Sequence, residues 1–131
     1  MKLTKLELQI LEALWSCGRA SVREILEHFP QPQPAYTTIQ TTVYRMEAKG
    51  AVRRVRKISN AHIFEPAVAR DVARGRFLDD ILGIFGGKAQ PMMAQLAEAG
   101  KITLDDVREL EQLVMRLNEQ QDKSGRRGKK R

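Results

Sequence analysis

Residues 35–57 constrain this chain more than any others, because they demand a helix with two unlike faces followed at once by a basic strand. In AYTTIQTTVYRMEAKGAVRRVRK, Ile39, Val43 and Met46 recur at spacings of four and three, so they share one side of a helix and can bury together. The other side carries Thr37, Thr38, Thr41, Tyr44 and Arg45. A face that only meets water favours Glu and Lys, which form helices better than three threonines do. Short hydroxyls, a phenol and a guanidinium are instead groups that bind phosphates and base edges. Gly50 ends the helix in the manner of a C-terminal glycine cap. AVRRVRK then alternates apolar and basic with a period near two, like a strand with one wet, cationic face. Residues 58–61 can turn the chain, and His62-Ile63-Phe64 can run back. A polar-faced helix followed directly by a basic hairpin predicts a winged helix-turn-helix, with the helix in the major groove and the hairpin along the adjacent backbone.

The residues upstream fit two further helices. Thr4 and Glu7 form a capping box, and Leu6, Ile10, Leu11 and Leu14 supply a buried stripe, with Trp15 packing near its end. Gly18 closes this helix. Arg19-Ala20 is too short to assign by itself; in a winged helix it would be the small strand that pairs with the hairpin. Ser21 and Glu24 form a second box, and Val22, Ile25, Leu26 and Phe29 face inward. Pro30-Gln31-Pro32-Gln33-Pro34 cannot be helical. Its stiffness is expected to set the angle of the polar-faced helix.

Pro66 marks a boundary. A helix over residues 68–85 carries Phe77, Leu78, Ile81, Leu82 and Phe85 on more than one face. A short helix follows Pro91. Thr103 caps a last helix in which Leu110, Leu113, Val114 and Leu117 form a wide apolar stripe. Self-association is the simplest cover for such stripes. The expected architecture is mainly α with a small β-wing: a winged-helix DNA-binding domain over 1–66, a three-helix dimerisation domain over 67–118 and a disordered basic tail over 119–131. The charge follows that division. Residues 1–66 hold ten Lys/Arg against six Asp/Glu, residues 67–121 seven against nine, and residues 122–131 six against one. A basic front and tail around an acidic middle suit a polyanionic partner at one end and a protein contact in the middle.

Other functions lack their residues. Aromatics make up only 5% of the chain, too few for a base-stacking platform. No phosphate loop, nucleophile elbow or HExxH motif is present, so no enzyme is expected. His28 and His62 stand apart, Cys17 is the single cysteine, and Asp79-Asp80 and Asp105-Asp106 are adjacent pairs whose side chains diverge on a helix. No cofactor or metal is expected. Met1-Lys2 leads into an amphipathic helix and no stretch approaches a membrane span, so the expected location is the cytoplasm, without membrane insertion.

LTKLELQILEALW, SVREI, YTTIQTTVYRMEAKG, the VRRVRK wing and ARGRFLDDILGIFGGK, in this order, resemble the penicillinase-repressor family of bacterial transcriptional regulators. The pattern at Thr38, Thr41, Arg45, Met46, Lys49 and Gly50 carries most of the likeness. The resemblance implies a homodimer that represses from an operator with dyad symmetry, often near β-lactamase or penicillin-sensing genes and hence antibiotic resistance. It also implies a membrane sensor protease as a partner acting on the dimerisation domain. On this sequence it assigns DNA contacts to Thr37, Thr38, Gln40, Thr41 and Arg45, a phosphate hydroxyl to Tyr44, and wing contacts to Arg53, Arg54, Arg56 and Lys57. Copper-responsive members carry Cys-x-Cys pairs, which this chain lacks. Members cleaved at an Asn-Phe bond would place that bond at Gln95-Leu96 here. The competing expectation is a winged-helix module that binds protein without reading DNA. It calls for apolar or acidic groups on the reading face, where Thr37 to Arg45 offer neither.

Overall fold

The computed structural model describes residues 2–129, with side chains to residue 124. Its elements are α1 (Lys5–Cys17), α2 (Val22–Glu27), α3 (Tyr36–Ala48), β1 (Val52–Ile58), β2 (Ala61–Pro66), α4 (Arg70–Ile84), α5 (Ala89–Glu98) and α6 (Leu104–Lys129). They form two units, the first ending at Ile84 and the second beginning at Phe85.

Local chemistry sets the helix ends of the first unit. Both capping boxes form: the Thr4 hydroxyl accepts from the Glu7 N–H and the Ser21 hydroxyl from the Glu24 N–H, each at 3.2 Å, and each Glu reaches back to its cap residue's own N–H. At the far end of α3, Gly50 takes φ +83°, a conformation that strains any side chain. The turn lets the Gly50 N–H donate to Glu47 O and the Ala51 N–H to Met46 O, which satisfies carbonyls the helix leaves open. Gln33 turns back to the end of α2, its amide donating to Leu26 O at 3.0 Å and to Phe29 O, just beyond the helix, at 3.1 Å. The proline-rich connection is therefore pinned to the helix it leaves.

The core of this unit joins Leu3, Ile10, Leu11 and Leu14 to Ile25, Phe29, Ile39, Val43, Met46, Val52 and Phe64, all buried. β1 and β2 are antiparallel, with Arg54 opposite Phe64. Ala20 adds a third, one-residue strand by exchanging backbone hydrogen bonds with Phe64 at 2.9 and 3.0 Å. The even alternation expected of β1 does not hold. A bulge falls between Arg54 and Arg56, where Val55 has no partner, and only Val52 of this strand is buried. Val52 and Val55 lie three apart, so a regular pleat would send them to opposite faces. Val55 is the extra residue of the bulge and is exposed, whereas Val52 is buried.

α4 belongs with the first unit, so the boundary lies at residues 84/85 and not at 66/67. The reason is a set of bonds to α1. The Trp15 indole donates to Val68 O at 3.0 Å, Ala73 is fully buried, and Arg74 clasps Glu12 with both nitrogens at 2.7 and 3.0 Å. Those bonds hold the Glu12 carboxyl below its ordinary range. Of the expected dimerisation residues on α4, Phe77, Ile81 and Leu82 are half-buried and Leu78 is exposed.

The second unit is α5 and α6. α5 ends as α3 does, with the Gly100 N–H on Ala97 O and the Lys101 N–H on Leu96 O. Thr103 caps α6 by accepting from the Asp106 N–H, and its own N–H donates to the Asp106 carboxylate and holds it below the ordinary value. α6 continues to Lys129, whereas a tail was expected from 119. Residues 118–123 contain no Gly or Pro, and Glu, Gln and Lys favour the helix. Residues 130 and 131 of that expected tail lie outside the described residues. No described side chain of this unit is buried: Leu110, Leu113, Val114 and Leu117 are 42–50% exposed, and Phe85 is half-buried. Among the described residues, no helix is long and apolar enough to cross a membrane.

Candidate nucleic-acid interface

α3 presents three faces. Ile39, Val43 and Met46 fill the core, joined by Thr42, whose hydroxyl is buried and donates to Thr38 O at 2.7 Å. Thr37, Thr38, Thr41 and Arg45 lie together on an exposed face, as the sequence suggested. Tyr36, Gln40, Tyr44 and Glu47 recur at four, four and three along a third flank. That flank turns toward the wing. Tyr36, Gln40 and Tyr44 line one groove with Arg23 of α2 and with Asn60 and His62 of the hairpin. Gln40 donates to the Tyr44 hydroxyl at 3.3 Å. Tyr44 thus stands apart from the threonine face with which the sequence reading grouped it, and Gln40 lies at the flank of that face.

No side chain caps α3 at Ala35, and its first turn carries no acidic residue. The three other helices whose caps are described above each close on a carboxylate. α5, like α3, has neither a side-chain cap nor an acidic residue in its first turn, so this end by itself marks no anion site. Arg23 lies 5.7 Å from the Tyr36 ring centre on the same side.

The wing cations divide into two kinds. Arg56 and Lys57 are exposed and make no ion pair among the described residues. Arg53 is paired, both its Nε and Nη2 donating to Glu65, which also receives Arg19 at 3.3 Å. Arg54 makes a two-point bond to Glu47 of α3 at 3.0 and 3.1 Å. Four cations in five residues therefore yield two with free charge.

The far end of α3 is fixed from α1. Lys49 donates to Lys2 O at 2.9 Å and pairs with Glu7, which is only 2% exposed. Burial pushes the Glu7 carboxyl up, but the hydrogen bonds from Lys49 and Thr4 and the Lys49 charge outweigh it and hold the group below its ordinary value. Sequence reasoning saw Glu7 only as a cap and Lys49 only as part of a motif. It gave no role to Glu47, Glu65, Arg23 or Gln33. Glu47 follows Tyr44 by one helical turn, which was a usable sign; the pairings of Glu7 and Glu65 join distant parts of the chain and had none.

The arrangement offers hydroxyls and a guanidinium on an exposed helix face and, on a neighbouring hairpin, two cations without an ion pair among the described residues. These groups suit a grooved polyanion. The comparisons agree in kind. The family described as penicillinase repressor matches residues 3–116. Among solved structures, the chain resembles a cysteine-to-serine mutant of MarR from E. coli complexed with operator DNA, at TM-score 0.52 and 15% identity over 88% of this chain and 75% of that one. At that identity the likeness bears on the fold, a winged helix. No curated protein matches the sequence.

Proposed function

The chain belongs to the penicillinase repressor family of DNA-binding transcriptional regulators, which are not enzymes, and we propose that it represses as a homodimer on a dyad-symmetric operator. The observation that carries this reading is the exposed face of Thr37, Thr38, Thr41 and Arg45 on a helix whose opposite face is wholly buried. In each subunit that face enters a major groove, while Arg56 and Lys57 hold the neighbouring phosphates. The MarR structure, complexed with operator DNA, supports a DNA partner for such a fold. Dimerisation joins two half-sites, so whatever loosens the C-terminal helices releases the operator. Control of β-lactamase or penicillin-sensing genes in the cytoplasm, with release by a membrane sensor protease, is the finer form of this reading, and it rests on the family alone.

The test is an anisotropy titration against the duplex upstream of the gene, at two salt concentrations, with an unrelated duplex as control. Arg45→Ala is expected to weaken operator binding by about 1–3 kcal/mol and to affect the unrelated duplex less, because a base contact carries sequence preference. An equal loss on both duplexes would make Arg45 a phosphate contact. No loss on either would remove it from the interface.

A further inference from the structure

Arg54 is the wing cation with the most internal partners. Its guanidinium meets the Glu47 carboxylate with two parallel bonds, at 3.0 and 3.1 Å. It also lies over two rings, 5.3 Å from the centre of Tyr44 and 5.2 Å from that of Phe64. Those rings are themselves in contact, their centres 6.3 Å apart. Phe64 is fully buried and stands opposite Arg54 on the partner strand. The guanidinium is thus held on one side by α3, through Glu47 and Tyr44, and on the other by the hairpin, through Phe64. The side chains of Arg54 and Glu47 are only about one-third exposed.

Ordinary surface ion pairs contribute little, because water screens them and two long side chains must be ordered. This pair differs on each count. It is two-pointed, which suits the planar fork of arginine and not the point charge of lysine. Stacking on two rings shields it. It also sits where the strand leaves its regular course, at the edge of the Val55 bulge. Beyond that bulge come Arg56 and Lys57, whose charges are free.

We propose that Arg54 is a positioning residue and not a phosphate contact. Through Glu47 and the Tyr44 and Phe64 rings it sets the angle between recognition helix and wing, and so places Arg56 and Lys57 on the DNA backbone. The proposal rests on the DNA-binding reading above and deepens it.

Glu47→Gln gives a test by sign. A free phosphate-binding Arg54 would gain from losing the nearby carboxylate, and removing a negative charge from this surface should strengthen DNA binding. A positioning Arg54 loses its anchor, and the same change should weaken binding. We expect Glu47→Gln to weaken operator affinity several-fold and to speed hydrogen exchange of the hairpin amides. Arg54→Lys is expected to behave alike despite keeping the charge. Exchanging the partners, Glu47→Arg with Arg54→Glu, should recover part of the affinity lost in either single change. A Glu47→Gln chain that binds as tightly as the parent, or more tightly, would overturn the assignment. Should the parent itself bind no duplex, the DNA-binding reading fails instead. Thermal unfolding of the two single variants and the double then decides the pair: coupling between positions 47 and 54 upholds the clamp, and strict additivity refutes it.

Discussion

A chain carrying Leu113→Asp and Leu117→Asp is expected to sediment as a monomer and to lose about 10²- to 10⁴-fold in operator affinity. The two leucines lie one turn apart on α6, with Leu110 and Val114 beside them. All four are between 42% and 50% exposed in the single chain. Fully covering an exposed leucine contributes roughly 1.5–3 kcal/mol; these four side chains are already about half covered, so each gains about half of that, and the stripe supplies the apolar patch of a dimer interface. A buried aspartate instead has to be desolvated without a partner. The first unit should fold unchanged, since its core contains no residue of α6. Loss of affinity follows because one half-site then binds without the second held close to its target. Variant chains that still run as dimers would place the interface elsewhere, on the α4 residues Phe77 to Leu82 in the first instance.

Lys49→Ala is expected to destabilise the first unit by about 2–3 kcal/mol, lowering its melting temperature by roughly 10–20 °C. The loss is smaller than for a fully buried pair because the Lys49 side chain is 30% exposed. Without Lys49, Glu7 keeps its bond to the Thr4 N–H but stays buried with little to balance its charge. The pH dependence gives the sign. In the parent, the Glu7 carboxyl is held below its ordinary value, so its contribution is present above the unfolded carboxylate range and is lost as pH falls through the folded value. In the variant the two Lys49 contributions are gone and only the Thr4 bonds oppose burial, so the carboxyl moves up from its parent value. The gap between parent and variant should therefore be widest near neutral pH and should narrow as pH drops below the carboxylate range. A gap independent of pH, followed by thermal unfolding across that range, would mean that Lys49 acts through its stem and not through Glu7.

Local rules carried much of this fold. Thr4 with Glu7, Ser21 with Glu24, and Thr103 at the head of α6 declare their helices by side chains three residues apart. The burial of Ile39, Val43 and Met46 needed only their spacing. What stayed hidden depended on distant partners. Nothing near Trp15 or Glu12 announces that Val68 and Arg74 will bind them, so α4 read as part of the C-terminal domain and is in fact fastened to α1. The basic strand misled for a different reason. Its charges are plain in the sequence, but the bulge at Val55 and the carboxylates at Glu47 and Glu65 decide which charges remain free, and composition does not show that. Likewise Tyr44 and Gln40 differ from the threonines by a fraction of a turn, which matters only once the wing is folded against them.

The central claim is that two joined copies read a symmetric DNA sequence through α3. Sequencing the DNA that the purified chain selects from a random duplex pool, at physiological salt, tests it most directly. One enriched inverted repeat is expected, its half-sites centred one helical turn or a multiple apart, about 10–10.5 base pairs per turn. Recovery of the pool without enrichment, or of a single half-site with no symmetric partner, would contradict it.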